Sequence, residues 1–191
     1  MIQFYKPNKK VTGTACSFWM NKDGTIMASM IKQDGWNDKT RTGSFAKNKE
    51  NPNGRVVVKL GNSEVAGIID ALENGRDWST YHVSSKQKLQ INFGKYNRNN
   101  EQIGYSFSVN KQDTEDSTNK VGFIIGFNFP EGRYLREYLV FLLREWFNQE
   151  ESKQRSQASK KPAPAKSYKQ EPEIEFESSD LSENEEQDFE W

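Results

Sequence analysis

The side chains that could carry catalysis are few and far apart in this sequence. Cys16 is the only cysteine and His82 the only histidine, and several dozen residues separate them. A Cys–His nucleophilic pair needs proximity only in space, so it stays open beside the alternative of a buried structural cysteine. The sequence has no Gly-rich phosphate loop, paired cysteine cluster or His/carboxylate metal spacing. We therefore expect no enzyme activity, no cofactor and no bound metal.

Three acidic residues lie close enough in sequence to suggest a cation site. Asp113, Glu115 and Asp116 are carboxylates of the kind that bind Mg²⁺. They occur within Gln112–Asn119, a polar stretch between two strand-like runs. A solvated hairpin turn is the interpretation we prefer.

Basic and aromatic side chains are interleaved, and this pattern is typical of nucleic-acid binding. Lys and Arg follow the phosphates of a single strand while flat rings stack on its bases. We expect Lys39, Arg41 and Phe45 to share one face of a strand, and the whole set to converge on one accessible groove. The alternative is that Trp19 and Trp36 are core residues and the lysines ordinary surface. The candidate binding residues are Lys9, Lys10, Trp19, Lys22, Lys32, Trp36, Lys39, Arg41, Phe45, Lys47, Lys49, Lys86, Lys88, Lys95, Tyr96 and Arg98.

Charge is strongly segregated along the chain, although the formal net charge is zero. Residues 1–150 hold 21 Lys and Arg against 16 Asp and Glu, which gives +5. Residues 151–169 hold six bases and one acid, also +5, and residues 170–191 hold ten acids and no base, −10. Because charges act over about 8–10 Å at physiological salt, the local signs describe partners better than the total. A basic body followed by an acidic tail is expected to bind a polyanion.

The first half of the sequence contains three strand-like runs, a short fourth run and a helix. The long runs are Val11–Met20, Thr25–Gln33 and Trp36–Ala46, with Asp-Gly hairpin signals between them. Arg55–Leu60 is the short run, and a capping residue in Asn62-Ser63-Glu64 opens the helix. That helix carries apolar residues at i, i+3, i+4 and i+7, and Asn74-Gly75 ends it.

The second half repeats this order of strands and then a helix. Runs at Tyr81–Phe93, Ile103–Lys111 and Val121–Phe129 precede a helix from Pro130 through Phe147. Alternation along each run predicts one apolar face, which includes Tyr105 and Phe107, and one small, polar and basic face. The helices are expected to cover the apolar face. The apolar residues Val140, Phe141, Leu143 and Phe147 fall outside the main stripe of the second helix, which predicts deep burial or a second packing partner such as another copy of the chain.

These patterns predict an α+β fold of two strands-then-helix repeats, with antiparallel sheets packed by two helices. The domain spans residues 1–149, with halves of about 1–76 and 77–149. Residues 150–191 are predicted to be a disordered basic linker and acidic tail. An OB-fold barrel remains the alternative architecture.

Two resemblances follow from these features. The duplicated strands-then-helix order, with Lys10-Val-Thr-Gly-Thr-Ala15 and Ser84-Ser-Lys-Gln-Lys-Leu89, resembles the Whirly proteins and the related transcriptional coactivator positive cofactor four. That resemblance implies single-stranded DNA binding without base-specific chemistry. The acidic tail with a terminal aromatic resembles single-stranded DNA-binding proteins of bacteria and bacteriophages, in which the tip recruits replication and recombination proteins and competes with DNA. The residues concerned are Glu183, Glu185, Glu186, Asp188, Phe189, Glu190 and Trp191.

The sequence thus predicts sequence-tolerant binding of single-stranded DNA in replication, recombination and repair. An RNA-binding or annealing protein and a coactivator-type interaction protein remain the alternatives. A single cysteine, the absence of a signal-peptide pattern and the lack of a long apolar run predict a cytoplasmic location.

Overall fold

The computed structural model describes residues 1–116 and 118–158, which form ten strands and two helices. The first half contains β1 (Ile2–Lys6), β2 (Thr14–Met20), β3 (Ile26–Lys32), β4 (Gly35–Asn37), β5 (Thr42–Ser44), β6 (Arg55–Leu60) and α1 (Asn62–Asn74). The second half contains β7 (Trp78–Val83), β8 (Gln87–Arg98), β9 (Glu101–Asp113), β10 (Lys120–Phe127) and α2 (Phe129–Ala158). No helix in this part of the chain is both long enough and apolar enough to cross a membrane.

Each half is a four-stranded antiparallel meander followed by a helix. The first sheet has the order β1-β2-β3-β6, and the small β4–β5 hairpin is inserted between its third and fourth strands. The second sheet has the order β10-β9-β8-β7. The predicted α+β repeat is confirmed. Both sheets are open, so the alternative of an OB-fold barrel is wrong.

The core lies between the inward faces of the two sheets and under the helices. Phe18 of the first sheet packs on Phe107 of the second, with ring centroids 5.6 Å apart. Phe4 meets Phe127 edge to face at 4.9 Å. The predicted core placement of Phe107 and Tyr105 is confirmed, since Phe107 is fully buried and Tyr105 packs against the core.

Local capping sets both ends of α1 and the start of α2. The prediction of a cap within residues 62–64 is off by one position, because α1 begins after Gly61, whose N–H donates to the Glu64 side chain at 2.8 Å. The predicted end at Gly75 is confirmed: this residue is left-handed, with φ +64°, and its N–H donates to the carbonyl of Ala71. At α2, Asn128 and Glu131 cap each other reciprocally, each side chain accepting the other's backbone N–H at 2.9 Å.

Helix α2 continues beyond its predicted end at Phe147, through Ala158. The added turns carry ion pairs at helical spacing, Lys153 with Glu150 at i,i+3 and Arg155 with Glu151 at i,i+4. Such pairs support a helix that has no core to pack against. Residues 150–158 are therefore helical, although the sequence predicted a disordered linker from residue 150. The rest of that prediction lies outside the described residues.

The strand predictions were least accurate where turns interrupt a run. The predicted strand Trp36–Ala46 is instead the β4–β5 hairpin, because Asp38–Arg41 forms its turn and Arg41 takes a positive φ of 53°. The predicted run Tyr81–Phe93 is divided by a turn at Ser84–Lys86. The strand β1 was not predicted, since only Ile2 and Phe4 carry its alternation.

Candidate nucleic-acid interface

The outward face of the second sheet is a continuous and mostly polar surface. Antiparallel pairing places its side chains in rows across the strands. One row is Val83, Lys88, Gln112 and Lys120; the next is Tyr81, Gln90, Asn110 and Gly122; a third is Ser79, Asn92, Ser108 and Ile124. We call this surface the platform. A shallow groove of about 320 Å³ runs between its first two rows.

Two exposed rings stand at either end of the platform. Tyr81 is 56% exposed and Tyr96 is 43% exposed. Tyr96 lies six residues along β8 from Gln90, the cross-strand partner of Tyr81, which corresponds to about 20 Å. Its ring reaches across β9 to Gly126, where an added Cβ would come within 3.3 Å of the ring. The pair of rings therefore borders a low floor of amides and hydroxyls.

The charge of the platform has one sign. Lys88 and Lys120 lie in the same row, each paired with Gln112 of the central strand. None of the residues in these three rows is Asp or Glu. Beyond these rows, towards Tyr96, the Asp77 carboxylate lies over Gly94 and accepts the N–H of Lys95 at 3.0 Å. A phosphate chain crossing the first rows would thus meet cations without facing a fixed anion.

The outward face of the first sheet is smaller and more apolar. It carries Tyr5, Trp19, Arg55 and Lys59 around small residues of the central strands. Trp19 is half-buried, and its indole N–H donates to the Asn21 side chain at 2.8 Å. This face also lacks carboxylates at its strand positions. It is a second candidate surface.

The structure does not bring the sequence-predicted residues into one groove. Lys88 and Tyr96 lie on the platform, Trp19 on the first sheet, and Lys86 and Arg98 at the ends of β8. The β1–β2 loop holds Lys9 and Lys10, and Lys9 pairs with Asp38 of the hairpin turn at 3.1 Å. The β4–β5 hairpin and the loop after it hold Trp36, Lys39, Arg41, Phe45, Lys47 and Lys49. Lys32 ends β3 beside β10, and Lys22 occupies the β2–β3 turn. The expected convergence is therefore wrong.

Two detailed placements also differ from prediction. Lys39 and Arg41 lie in the β4–β5 turn and share no strand face with Phe45, which follows β5 and packs on Tyr5 with centroids 5.9 Å apart. Lys95 points away from the platform, because its side chain contacts Gly75 at the end of α1. A cation at that position faces the negative end of the helix dipole, so its placement has a structural explanation.

The residues considered for nucleophilic chemistry, Cys16 and His82, lie in different sheets. Cys16 is buried in β2, and burial raises the pKa of its thiol. The His82 ring meets Glu64 Oε1 at 2.7 Å, and Thr80 donates to the same oxygen at 2.8 Å. Burial alone would raise the pKa of Glu64, but hydrogen bonds from His82, the Gly61 N–H and Thr80 outweigh it and hold that pKa below its usual value. This cluster joins the start of α1 to the edge strand β7.

The carboxylates of the acidic stretch between β9 and β10 accept hydrogen bonds from backbone N–H groups of the same turn. Asp113 accepts the backbone N–H of Glu115 at 2.9 Å, and Asp116 accepts the backbone N–H of Thr118 at 2.9 Å. Within residues 1–116 and 118–158, no cluster of three or more His, Cys, Asp or Glu side chains could hold a metal ion.

Two open four-stranded sheets, each followed by a helix, define this chain as an α+β protein of duplicated meander-and-helix units. No protein-family model matches the sequence, and a search of curated proteins finds no relative. Among solved structures, the chain is similar to the plant transcriptional regulator PBF-2, with a TM-score of 0.55, 12% identity, and 79% of this chain and 84% of that one covered. It is similar also to WHY1 of Arabidopsis thaliana (TM-score 0.55, 12% identity, 86% and 96% covered) and to WHY3 of the same plant (TM-score 0.56, 12% identity, 83% and 94% covered). These likenesses confirm the predicted Whirly-like fold.

The sequence pattern missed several residues of these surfaces. Tyr81 and Lys120 belong to the platform, and Tyr5, Arg55 and Lys59 to the first sheet. Alternation within one strand assigns a side chain to a face but does not say which strands are neighbours. The meander order would have supplied that link, because consecutive antiparallel strands joined by tight turns fix the register.

Proposed function

We propose that this protein binds single-stranded nucleic acid along the platform, as a non-enzymatic and sequence-tolerant binding protein. The observation that carries the proposal is the combination of two exposed tyrosine rings with strand rows that bear Lys88 and Lys120 and contain no Asp or Glu. Lysines attract phosphates wherever they pass, and aromatic rings stack on any base. Both interactions tolerate sequence, which matches the expectation from the charge pattern.

Single strands are favoured over duplex because of the shape of the platform. A ring can stack only on a base whose face is free, and duplex bases are already stacked on one another. The polar floor between the rings offers amides and hydroxyls that can bond to base edges or sugars without selecting one base. We favour DNA as the physiological ligand, while RNA would use the same charges and rings.

The test is a fluorescence anisotropy titration of the full chain against labelled oligo-dT, the same sequence in RNA, and duplex DNA of equal length. We expect the tightest binding to single-stranded DNA and a steep loss of affinity as salt rises, because phosphate contacts release counterions. Equal affinity for duplex and single strand, or affinity independent of salt, would contradict the proposal. Absence of all nucleic-acid binding would favour the coactivator-type interaction protein instead.

We further propose that the acidic segment, which lies outside the described residues, recruits replication or recombination proteins and competes with DNA. The support is its sequence: ten acids after residue 169, with Phe189 and Trp191 near the end. The role that fits is protection of single strands during replication, recombination and repair in the cytoplasm, as in the bacterial and bacteriophage proteins that the tail resembles. A tethered polyanion competes at a high effective concentration.

A truncation tests the competition. Removal of residues 171–191 should tighten binding to oligo-dT, and the gain should shrink at high salt. A variant of full length with the ten acids replaced by Ser and Gln is the matched control, because it keeps the length and removes only the charge. If the truncation leaves affinity unchanged, the segment does not compete with DNA.

A further inference from the structure

A second groove, which we call the junction groove, opens where the edge strand β10 meets the end of the first sheet. It has a volume of about 430 Å³, within the usual range for small-ligand sites. Its wall and floor include Val11, Lys32, Asn53, Gly122 and Ile124. None of the described residues that line it is Asp or Glu.

The junction groove is continuous with the platform. Gly122 lines both grooves, so the boundary between them carries no side chain. The Lys111 side chain, on the opposite face of β9 from Asn110 and Gln112, donates to the Pro52 carbonyl at 3.1 Å and ties β9 to the loop that carries Asn53. A strand lying on the platform can therefore pass over the β10 edge into the junction groove.

One cation is placed at the groove with an aromatic ring beneath it. The Lys32 ammonium lies 5.0 Å from the centroid of the Phe123 ring. Lys32 is half-buried at the end of β3, so its side chain is constrained by its surroundings. A partly desolvated ammonium attracts phosphate more strongly than a freely hydrated one.

Two side-chain amides of the groove, Asn48 and Asn51, are hydrogen-bonded within the protein, and a third, Asn53, is placed to bind a ligand. Asn51 donates to the Asn48 side chain at 3.0 Å, and Asn48 donates to the Lys32 carbonyl at 2.9 Å. The Asn53 backbone N–H donates to the Asn51 side chain at 2.9 Å, which fixes the loop. The exposed Asn53 side-chain amide takes part in none of these bonds, so its donor and acceptor can face a ligand.

Two aliphatic side chains border the opening. Ile124 is 59% exposed, and Val11 is 38% exposed with φ +59°. A β-branched residue in the left-handed region is a strained conformation, held here by a turn in which the Val11 N–H donates to the Asn8 carbonyl at 3.1 Å. Strain of this kind concentrates at ligand-binding positions.

We propose that the junction groove receives one unstacked nucleotide of the bound strand, with its phosphate beside Lys32, its base between Val11 and Ile124, and its base edge hydrogen-bonded to the Asn53 amide. This inference rests on the proposed single-strand binding and adds a base-discriminating subsite to it. Bases in a single strand present their pairing edges, and an amide that donates and accepts distinguishes them. The platform would then supply affinity and the junction groove a modest preference among bases.

The experiment is a set of anisotropy titrations with oligo-dT, oligo-dC and oligo-dA of equal length. For the unmodified chain we expect affinities that differ by about 3- to 10-fold between the best and worst ligand, which is the range of one to two hydrogen bonds. Asn53→Ala should bring the three affinities together, and Lys32→Gln should weaken all three by a common factor. Asn148→Ala, on the exposed side of α2, is the control and should match the unmodified chain.

The outcomes separate this inference from the proposed function. Equal affinity of the unmodified chain for the three ligands, or differences that persist in Asn53→Ala, would overturn the junction subsite while single-strand binding stands. Failure of the unmodified chain to bind any of the three would overturn the proposed function itself. Asn53 is exposed in a loop, so its replacement should leave the fold intact; a thermal melt checks this.

Discussion

Two tyrosines with the same exposure allow a direct test of which sheet binds the strand. Tyr81 on the platform and Tyr5 on the first sheet are both 56% exposed, and both lie on outward strand faces. Stacking of one base on a ring contributes about 1–3 kcal/mol, which is about 5- to 150-fold in affinity. We therefore expect Tyr81→Ala to weaken oligo-dT binding by at least about 5-fold, while Tyr5→Ala stays close to the unmodified chain.

The assay is fluorescence anisotropy at one fixed salt concentration, since salt alters the affinity of every variant. Tyr81→Phe keeps the ring and should retain most of the binding. Thermal melts of the variants should agree closely, because neither ring is in the core. If Tyr5→Ala loses affinity and Tyr81→Ala does not, the strand lies on the first sheet and our assignment of the platform is wrong. If neither variant loses affinity, stacking on these faces makes no contribution.

Three further predictions concern charge and stability. Lys88→Gln and Lys120→Gln should each reduce the slope of log affinity against log salt by about 0.7. An unchanged slope in both variants would mean that neither lysine contacts a phosphate. Glu64→Gln should lower the free energy of unfolding by about 1 kcal/mol at neutral pH. Because the folded pKa of Glu64 is lowered, this stabilisation is present above its unfolded pKa and disappears as pH falls through the folded pKa, so denaturant curves of the two proteins should converge in acid. Gln33→Ala should lower the free energy of unfolding by about 3 kcal/mol and the Tm by about 6–12 °C. The reason is that the buried Gln33 amide forms hydrogen bonds with four backbone groups of neighbouring loops. A Tm within error of that of the unmodified chain would contradict this prediction.

Alternation predicted the second sheet well because its two central strands are long and the middle of one face is buried. Phe123, Ile125 and Phe127 are all inward, as expected, but Phe129 is 49% exposed, since β10 ends at Phe127 and the helix starts with Phe129. Periodicity does not show where a strand gives way to a helix. The reciprocal cap between Asn128 and Glu131 was the local signal for that boundary.

The first half was harder to predict because its strands are interrupted. A buried polar residue, Gln33, holds the start of the β4–β5 hairpin by accepting from Asn8 and donating to Asn8 and Gly35. Such bonds join residues distant in sequence, and no periodic pattern reports them. For the same reason the sequence predicts which residue types the binding surface contains but not which of them lie together. Lys88 and Tyr96 were identified, whereas only the cross-strand register places Tyr81 and Lys120 on the same surface.

The duplication explains why one outward face, rather than both, suits a long flexible ligand. In the first sheet the hairpin inserted before β6 brings Phe45 against one side of the Tyr5 ring, which stays 56% exposed. The second sheet has no such insertion, and its exposed rings Tyr81 and Tyr96 lie about 20 Å apart along the polar floor. The loop that follows the hairpin instead supplies Asn53 to the junction groove, next to the β10 edge of the platform. One insertion thus covers part of one sheet and extends the binding surface of the other, which is a reason for two copies of the same unit to have different roles.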